Sequence, residues 1–332
     1  MKIVKINPLH PEEEKLKEAA NLLKKGAVLI FPTDTVYGIG TSYKNEPGME
    51  KIFVLKKRPK TKPIAILLDA QKRALEMVES SQEIEKEMER VWPGAVTLLL
   101  KAKVPLSPLL KNSSSRVGLR IPNHHLTLKL LRASGPLATT SANLSEQTAN
   151  SKVEMIEKEI LEGVDLVIDA GEVSGKESAV WDFTGEPPKL IRGGVLFVCT
   201  GNACRSPMAA GLLRKILQDK GNREIRVDSA GFLFSEGGAT REAIEVMKGE
   251  EISLLSHKSK LAKPLLIKNF DLIFVMEEIH QERIIEMVPE AAKKIFVLDL
   301  PDPIGKPLSF YEQTLSKIKE VMEKIILERI EL

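Results

Sequence analysis

The stretch VLFVCTGNACRS, residues 195–206, constrains this chain more than any other. Four apolar residues read as a buried strand, Cys199 ends it, and Arg205 follows after five residues, just before the helix-opening pair Ser206-Pro207. A strand that passes through a short Gly-Asn loop into a helix commits its surroundings to α/β layering. The stretch begins well past the middle of 332 residues, so what precedes it needs a core of its own. Two domains of roughly 150 to 190 residues suit that length. The boundary is placed at IRGG, giving 1–194 and 195–332.

The second half alternates with regularity. Strands are predicted at 195–198, 225–231, 271–276 and 294–300, and helices at 206–219, 238–248, 277–287 and 308–330. Strict alternation predicts a doubly wound, four-stranded parallel sheet. The first half is α/β of a less regular kind. A helix is predicted over Pro11–Gly26, with acids early, lysines late and Gly at its end. Strands are predicted at 27–33, 63–69, 95–103, 116–122 and 165–171, with helices ahead of 56–60 and near 81–91, 125–133 and 151–162.

Composition excludes several classes. The only cysteines are Cys199 and Cys204, so a disulfide scaffold is ruled out and a reducing compartment fits. No apolar run approaches the ~20 residues of a membrane span, and MKIVKINPLH lacks the apolar core of a signal peptide. A cytoplasmic protein without membrane contact is expected. A net charge of +3 does not argue for nucleic acid, although residues 101–150 hold seven Lys or Arg against one acid, Glu146.

The loop at Cys199 has its own chemistry. Successive backbone N–H groups point into one concavity, and the helix N-terminus adds its positive end, so a phosphoryl dianion is the natural occupant. Arg205 can grip two phosphate oxygens in a fork, which Lys cannot. The same field favours a Cys199 thiolate nucleophile. Ser206 can hydrogen-bond the sulfur, Asn202 holds the loop's shape and Gly201 permits close backbone approach. Asp302, after the last strand, reaches the same sheet edge as the leaving group's proton donor, and later serves as base on the hydrolytic water. Cys204 is a resolving thiol or a packed neighbour. His257 and His280 are read as structural or surface residues.

Nucleotide motifs fail in the first half. GIGTSY (38–43) lacks the last glycine of a dinucleotide loop and GEVSGKE (171–177) falls short of a Walker loop, so both are read as turn glycines. What remains is a set of hydroxyls and cations with an anion-site profile: Thr33, Thr35, Lys56, Arg58, Arg120, Ser141, Asn143 and Arg192.

VCTGNACRSPMA, the DSAG at 228–231, DLIFVM and Asp302-Pro303 resemble the low-molecular-weight protein phosphatase family over about 195–330. The resemblance carries over Cys199 as nucleophile, Arg205 as phosphate clamp and Asp302 as general acid. Tyrosine-specific members have aromatic residues after the Asp-Pro, where Ile304-Gly305 stand here. Phosphoarginine-specific members place Thr at Ala203, and tyrosine enzymes favour Ile. Ala203 matches neither; phosphoarginine is preferred over phosphotyrosine.

FPTDTVYGIG (31–40), KKRPKTKPIAIL (56–67), WPGAVTLLL (92–100), RVGLRIPNH (116–124), TSANLS (140–145) and LIRGG (190–194) resemble the YrdC/YwlC family over about 10–194. That resemblance implies a twisted, mixed, open sheet with helices. It also implies an ATP-dependent synthesis of L-threonylcarbamoyladenylate from L-threonine and bicarbonate, which serves tRNA through a partner transferase. Lys56, Arg58, Lys62, Ser141, Asn143 and Arg192 would then bind ATP, and Thr33, Thr35, Arg120 and Ser178 would bind threonine. No dedicated metal cluster is expected; Mg²⁺ would arrive with ATP. The two resemblances together imply a bifunctional enzyme. The rival reading makes the first half a non-catalytic RNA-binding module joined to a tyrosine phosphatase.

Overall fold

The computed structural model describes residues 2–233 and 237–332 and separates into two compact units, Met1–Pro188 and Lys189–Leu332. In the first unit β1 (Ile3–Lys5) leads to α1 (Glu13–Lys24), then β2 (Leu29–Phe31) and β3 (Gly38–Ser42). Next come α2 (Glu46–Leu55), β4 (Ala65–Leu67), α3 (Gln71–Met77), α4 (Gln82–Val91), β5 (Val96–Lys101) and β6 (Arg116–Arg120). The unit ends with α5 (His125–Ser134), β7 (Leu137–Ser141), α6 (Lys158–Gly163), β8 (Leu166–Asp169) and β9 (Ala179–Asp182). Its strands run in the order β1-β8-β2-β3-β7-β4-β6-β5-β9. Parallel pairs such as β2 with β8 occur beside antiparallel ones such as β3 with β7, so the sheet is mixed.

The helix predicted at Pro11–Gly26 forms as α1, and its end is marked by Gly26 at φ +90°. Leu16, Ala19, Ala20 and Leu23 face inward against Leu126, Leu130 and Leu131 of α5. Each buried leucine contributes roughly 1.5–3 kcal/mol. Strand β2 is buried on both sides: Leu29 and Phe31 join that cluster, while Ile30 joins the opposite one around Ile39, Ile52 and Val167.

Two expectations are corrected. Gly38 and Gly40 are not turn glycines but lie within β3, where a Cβ on Gly40 would come 2.7 Å from Thr139 Oγ1 and 3.1 Å from the Phe31 ring. Close strand packing explains them. The helix expected over 151–162 breaks into a 3₁₀ turn, Val153–Met155, and α6, because Ile156 is extended between them. Gly171 and Gly175, at φ +83° and +76°, are turn glycines as expected.

The second unit comprises β10 (Lys189–Cys199), α7 (Arg205–Asp219), β11 (Ile225–Gly231), α8 (Arg241–Gly249), α9 (Pro264–Lys268), β12 (Leu272–Val275), α10 (Glu278–Met287), β13 (Ile295–Val297) and α11 (Leu308–Val321). Its four strands are parallel in the order β11-β10-β12-β13, as the alternation predicts. Leu196, Val198, Ile273 and Val275 fill one face, and Phe197 stacks on Phe274 on the other, 5.6 Å between ring centres. The last helix is shorter than expected. It passes into a π turn at Met322 and then a 3₁₀ turn.

Candidate active sites

Strand β10 has β11 on one side and β12 on the other, so the winding reverses at its carboxyl end and the flanking loops open a crevice there. Cys199 is the last residue of β10 and Arg205 the first of α7. Cys199 Sγ lies 3.0 Å from Ser206 Oγ, and that hydroxyl also accepts from Asn202 Nδ2 at 3.0 Å. Asn202 has φ +51°, a left-handed conformation that Asn tolerates. Its Nδ2 also donates to Ser229 Oγ (2.9 Å), and its Oδ1 accepts from Lys260 N (3.0 Å). Its carbonyl oxygen accepts from His257 Nε2 (2.7 Å) and Ser259 Oγ (2.9 Å). The close approach assigned to Gly201 belongs to Gly231. A Cβ there would lie 2.6 Å from Asn202 N, whereas one on Gly201 would meet nothing within 4 Å.

Arg205 is 1% exposed. Nη1 donates to Glu277 Oε2 (2.6 Å) and Leu300 O (2.7 Å), and Nη2 donates to Asp302 Oδ2 (2.5 Å). Two carboxylates and a carbonyl thus fix the plane of the guanidinium at the crevice. Among the described residues its Nε has no partner. Asp302 Oδ1 accepts from Ile304 N (3.1 Å), which orients the carboxyl from the other side.

Cys204 is buried, with Thr240 Oγ1 and Tyr311 Oη each 3.6 Å from its sulfur. Burial raises its pKa, which keeps it a thiol. Both cysteines are free. Both histidines are structural: His257, partly buried, braces Asn202, and His280 is 1% exposed beneath the loop. Glu277, Ser259 and Tyr311 are not visible in the sequence because they act on the loop from 72, 57 and 107 residues away, without a local pattern of their own. Ser229 and Gly231 were visible only as members of DSAG.

The first unit builds its polar cluster across many segments. The β2–β3 connection carries Thr33, whose Oγ1 donates to Val36 O (2.7 Å) and lies 2.9 Å from Thr35 Oγ1. Arg120, at the end of β6, donates from Nη1 to Thr35 Oγ1 (2.9 Å), from Nη2 to Asp34 Oδ1 (2.5 Å) and from Nε to Gly94 O (3.0 Å). Thr33, Thr35 and Arg120 therefore meet as expected, with Asp34 added as the ionic partner. Its carboxylate offsets the cost of burying the guanidinium.

A second cluster joins the Lys-x-Arg and Ser-x-Asn segments. Lys56, 1% exposed, donates to Ser141 O (2.5 Å), Asn143 O and Asn143 Oδ1 (3.2 Å). Burial, then the charge of Arg58, pull its pKa down to about 7. Ser145 N donates to Lys56 O (2.9 Å), so the two segments are bonded through the backbone as well. Arg58 donates to Lys62 O (2.7 Å) and Pro63 O (3.0 Å). Lys62 is exposed and lies 3.4 Å from Glu146. Ser178, just before β9, is buried beside Thr97 of β5, with 3.1 Å between the hydroxyls. Arg192, expected among the ATP-binding residues of the first half, instead lies on β10, within the second unit, because that strand already begins at Lys189. Tyr37, not foreseen, donates to Gly171 O (2.7 Å), and burial pushes its pKa up to about 12.

Among the described residues no cluster of three His, Cys, Asp or Glu side chains could hold a metal ion, and no helix is long and apolar enough to cross a membrane. Residues 21–194 match the Sua5–YciO–YrdC family, described as telomere recombination. Residues 194–331 match the low molecular weight phosphotyrosine protein phosphatase family. The threonylcarbamoyl-AMP synthase of Bacillus subtilis is 35% identical over 190 residues, 56% of this chain and 55% of the relative. A putative threonylcarbamoyl-AMP synthase of Methanocaldococcus jannaschii is 32% identical over 200 residues, 59% of this chain and 94% of the relative. The crystal structure of Escherichia coli YciO superposes with a TM-score of 0.55 and 26% identity, over 58% of this chain and 95% of that one. The chain spans little more than half of the length of the Bacillus relative.

Proposed function

We propose, for a chain that belongs to the Sua5–YciO–YrdC family and carries a low-molecular-weight phosphatase domain behind it, that the two halves are two enzymes. The first makes L-threonylcarbamoyladenylate from L-threonine, bicarbonate and ATP. Threonine's amine and bicarbonate condense to a carbamate with loss of water. A carbamate oxygen then attacks the α-phosphorus, and the bond to the β-phosphate breaks to release pyrophosphate. Arg58 and Lys62 neutralise the triphosphate. Ser141 and Asn143 bond nucleotide or carbamate, and Lys56, whose ammonium holds three oxygens of that turn, keeps them in place. Thr33, Thr35, Ser178 and Arg120 hold threonine, the arginine facing its carboxylate. Mg²⁺ travels with ATP, and the product passes to a transferase that modifies tRNA.

The observation that carries this reading is the direct bonding of the Lys-x-Arg turn to the Ser-x-Asn turn within a stretch of 190 residues that is 35% identical to a threonylcarbamoyl-AMP synthase. The test is pyrophosphate release that requires threonine and bicarbonate together. Release from ATP alone, or none in folded protein, would remove the synthase reading.

The second half is proposed to hydrolyse phosphorylated protein. Cys199 attacks phosphorus, Arg205 clamps the phosphoryl oxygens, Asp302 protonates the leaving group, and water then cleaves the phosphocysteine with Asp302 as base. Support comes from the sulfur 3.0 Å from the Ser206 hydroxyl and from Arg205 bonded to Asp302 at 2.5 Å. Phosphoarginine is favoured over phosphotyrosine because Ile304-Gly305 follow the Asp-Pro where an aryl ring would need aromatic walls. Rates on phosphoarginine and phosphotyrosine peptides decide between the two.

A further inference from the structure

We propose that His280 is a positioning residue of the phosphatase site, an inference that rests on the phosphatase reading above. One neutral ring holds Thr200, the residue after the nucleophile, on one side and the backbone of Glu277, the carboxylate partner of Arg205, on the other. The tautomer follows from the partners. Nδ1 accepts from Glu277 N at 3.1 Å and so carries a lone pair. Nε2 therefore carries the proton and donates to Thr200 Oγ1 at 2.9 Å. Glu277 completes the exchange by accepting from the His280 backbone in a reciprocal cap of α10. Thr200 is pinned from its other side as well, its carbonyl oxygen accepting from Phe232 N (2.8 Å) and Leu233 N (2.9 Å).

The ring has little freedom to change roles. It is 1% exposed and stacks on Phe232 at 5.8 Å and 8°, with the Arg283 guanidinium 5.5 Å from that phenyl ring. The charged groups that face it are Arg205 of α7, Glu277 and Arg283 of α10, and Asp302 after β13. Burial, then Arg205, hold its pKa below the usual histidine range. A second ring proton would set Nδ1–H against the Glu277 N–H, donor against donor. The cap would open, and the carboxylate that aligns Arg205 with Asp302 would lose its seat. The link from ring to clamp is one side chain long: Glu277 Oε2 lies 2.6 Å from Arg205 Nη1. Activity should accordingly fall as pH drops through the titration of this ring.

The test uses the full chain, an aryl phosphate, and kcat and KM across about pH 5 to 8, with thermal melting to confirm folding. Thr200→Val should lower kcat about tenfold with KM little changed, the loss of one hydrogen bond that orders the site. His280→Gln keeps a donor and an acceptor but cannot titrate. It should cost only about threefold at neutral pH and flatten the acid limb. Thr200→Val added to His280→Gln should be no slower than Thr200→Val alone. An unchanged kcat in folded Thr200→Val, or an undiminished acid limb in His280→Gln, overturns the inference while leaving an active phosphatase. An inert wild type instead overturns the phosphatase reading itself. Should His280→Gln fail to fold, Thr200→Val still decides.

Discussion

The second half gathers most of its reactive groups from eight consecutive residues, Cys199 to Ser206, while the first draws its polar groups from segments around Thr33, Lys56, Arg120, Ser141 and Ser178. The two solutions are stabilised differently. In the contiguous site the backbone sets the geometry, and distant residues such as His257, Ser259 and Lys260 brace it by bonding Asn202. In the dispersed site no local turn brings the groups together, so buried cations do it. Arg120 ties the Thr33–Thr35 connection to Gly94, and Lys56 ties the Lys-x-Arg turn to the Ser-x-Asn turn. A contiguous site concentrates its vulnerability in the reacting atoms. A dispersed site spreads it over the ties.

The sharpest way to break this comparison is Cys199→Ser. Hydrolysis of an aryl phosphate should drop by about 10⁴-fold or more, with pyrophosphate release unchanged. Loss of both activities in folded protein would show that the sites are not independent. Next in size is Arg120→Lys. A single ammonium cannot reach Asp34, Thr35 and Gly94 at once, so KM for threonine should rise roughly 10- to 100-fold. A rise under twofold would mean that the fold, not the fork, assembles the cluster.

Lys56→Met tests the other tie through pH. The folded pKa of about 7 lies below the unfolded value of 10.5. Between those values the unfolded chain binds the extra proton, so this group adds stability as pH rises from about 7 and takes it away on return to neutral. Denaturant melts of the wild type at rising pH should show that gain, on the order of 5 kcal/mol over the whole interval, and Lys56→Met should lack it. Equal slopes in the two proteins would place the ammonium in a more favourable setting than its burial implies. The smallest effect expected is that of Ala203→Thr, which should shift the preference between phosphoarginine and phosphotyrosine peptides several-fold while leaving hydrolysis of a generic aryl phosphate within about twofold.

The same contrast explains what the sequence made legible. The parallel sheet of the second half was readable because each buried strand is followed by a helical period, and Cys199, Arg205 and Asp302 were readable because strand ends share one edge. The first half hid β3 and β7. Gly38-Ile39-Gly40 has a nucleotide-loop look, and its glycines serve instead to let β3 pack against Thr139 and Phe31. Thr33, Thr35 and Arg120 were foreseen, but Asp34, their ionic partner, was not, since an Asp between two Thr in a loop looks like an ordinary turn residue. Lys56 was foreseen as a phosphate ligand, and nothing in KKRPK distinguishes a solvent-facing lysine from one turned inward onto carbonyls.

Asn202 makes five hydrogen bonds through its amide and carbonyl groups while held at φ +51°. Glycine would keep the backbone angle and lose the three side-chain bonds. Aspartate would turn lone pairs toward the Ser206 and Ser229 hydroxyl oxygens and bring a negative charge into a loop built to receive one. No single replacement here keeps both the left-handed backbone and the bonds to Ser206, Ser229 and Lys260, so a substitution at Asn202 undoes the loop rather than adjusting it.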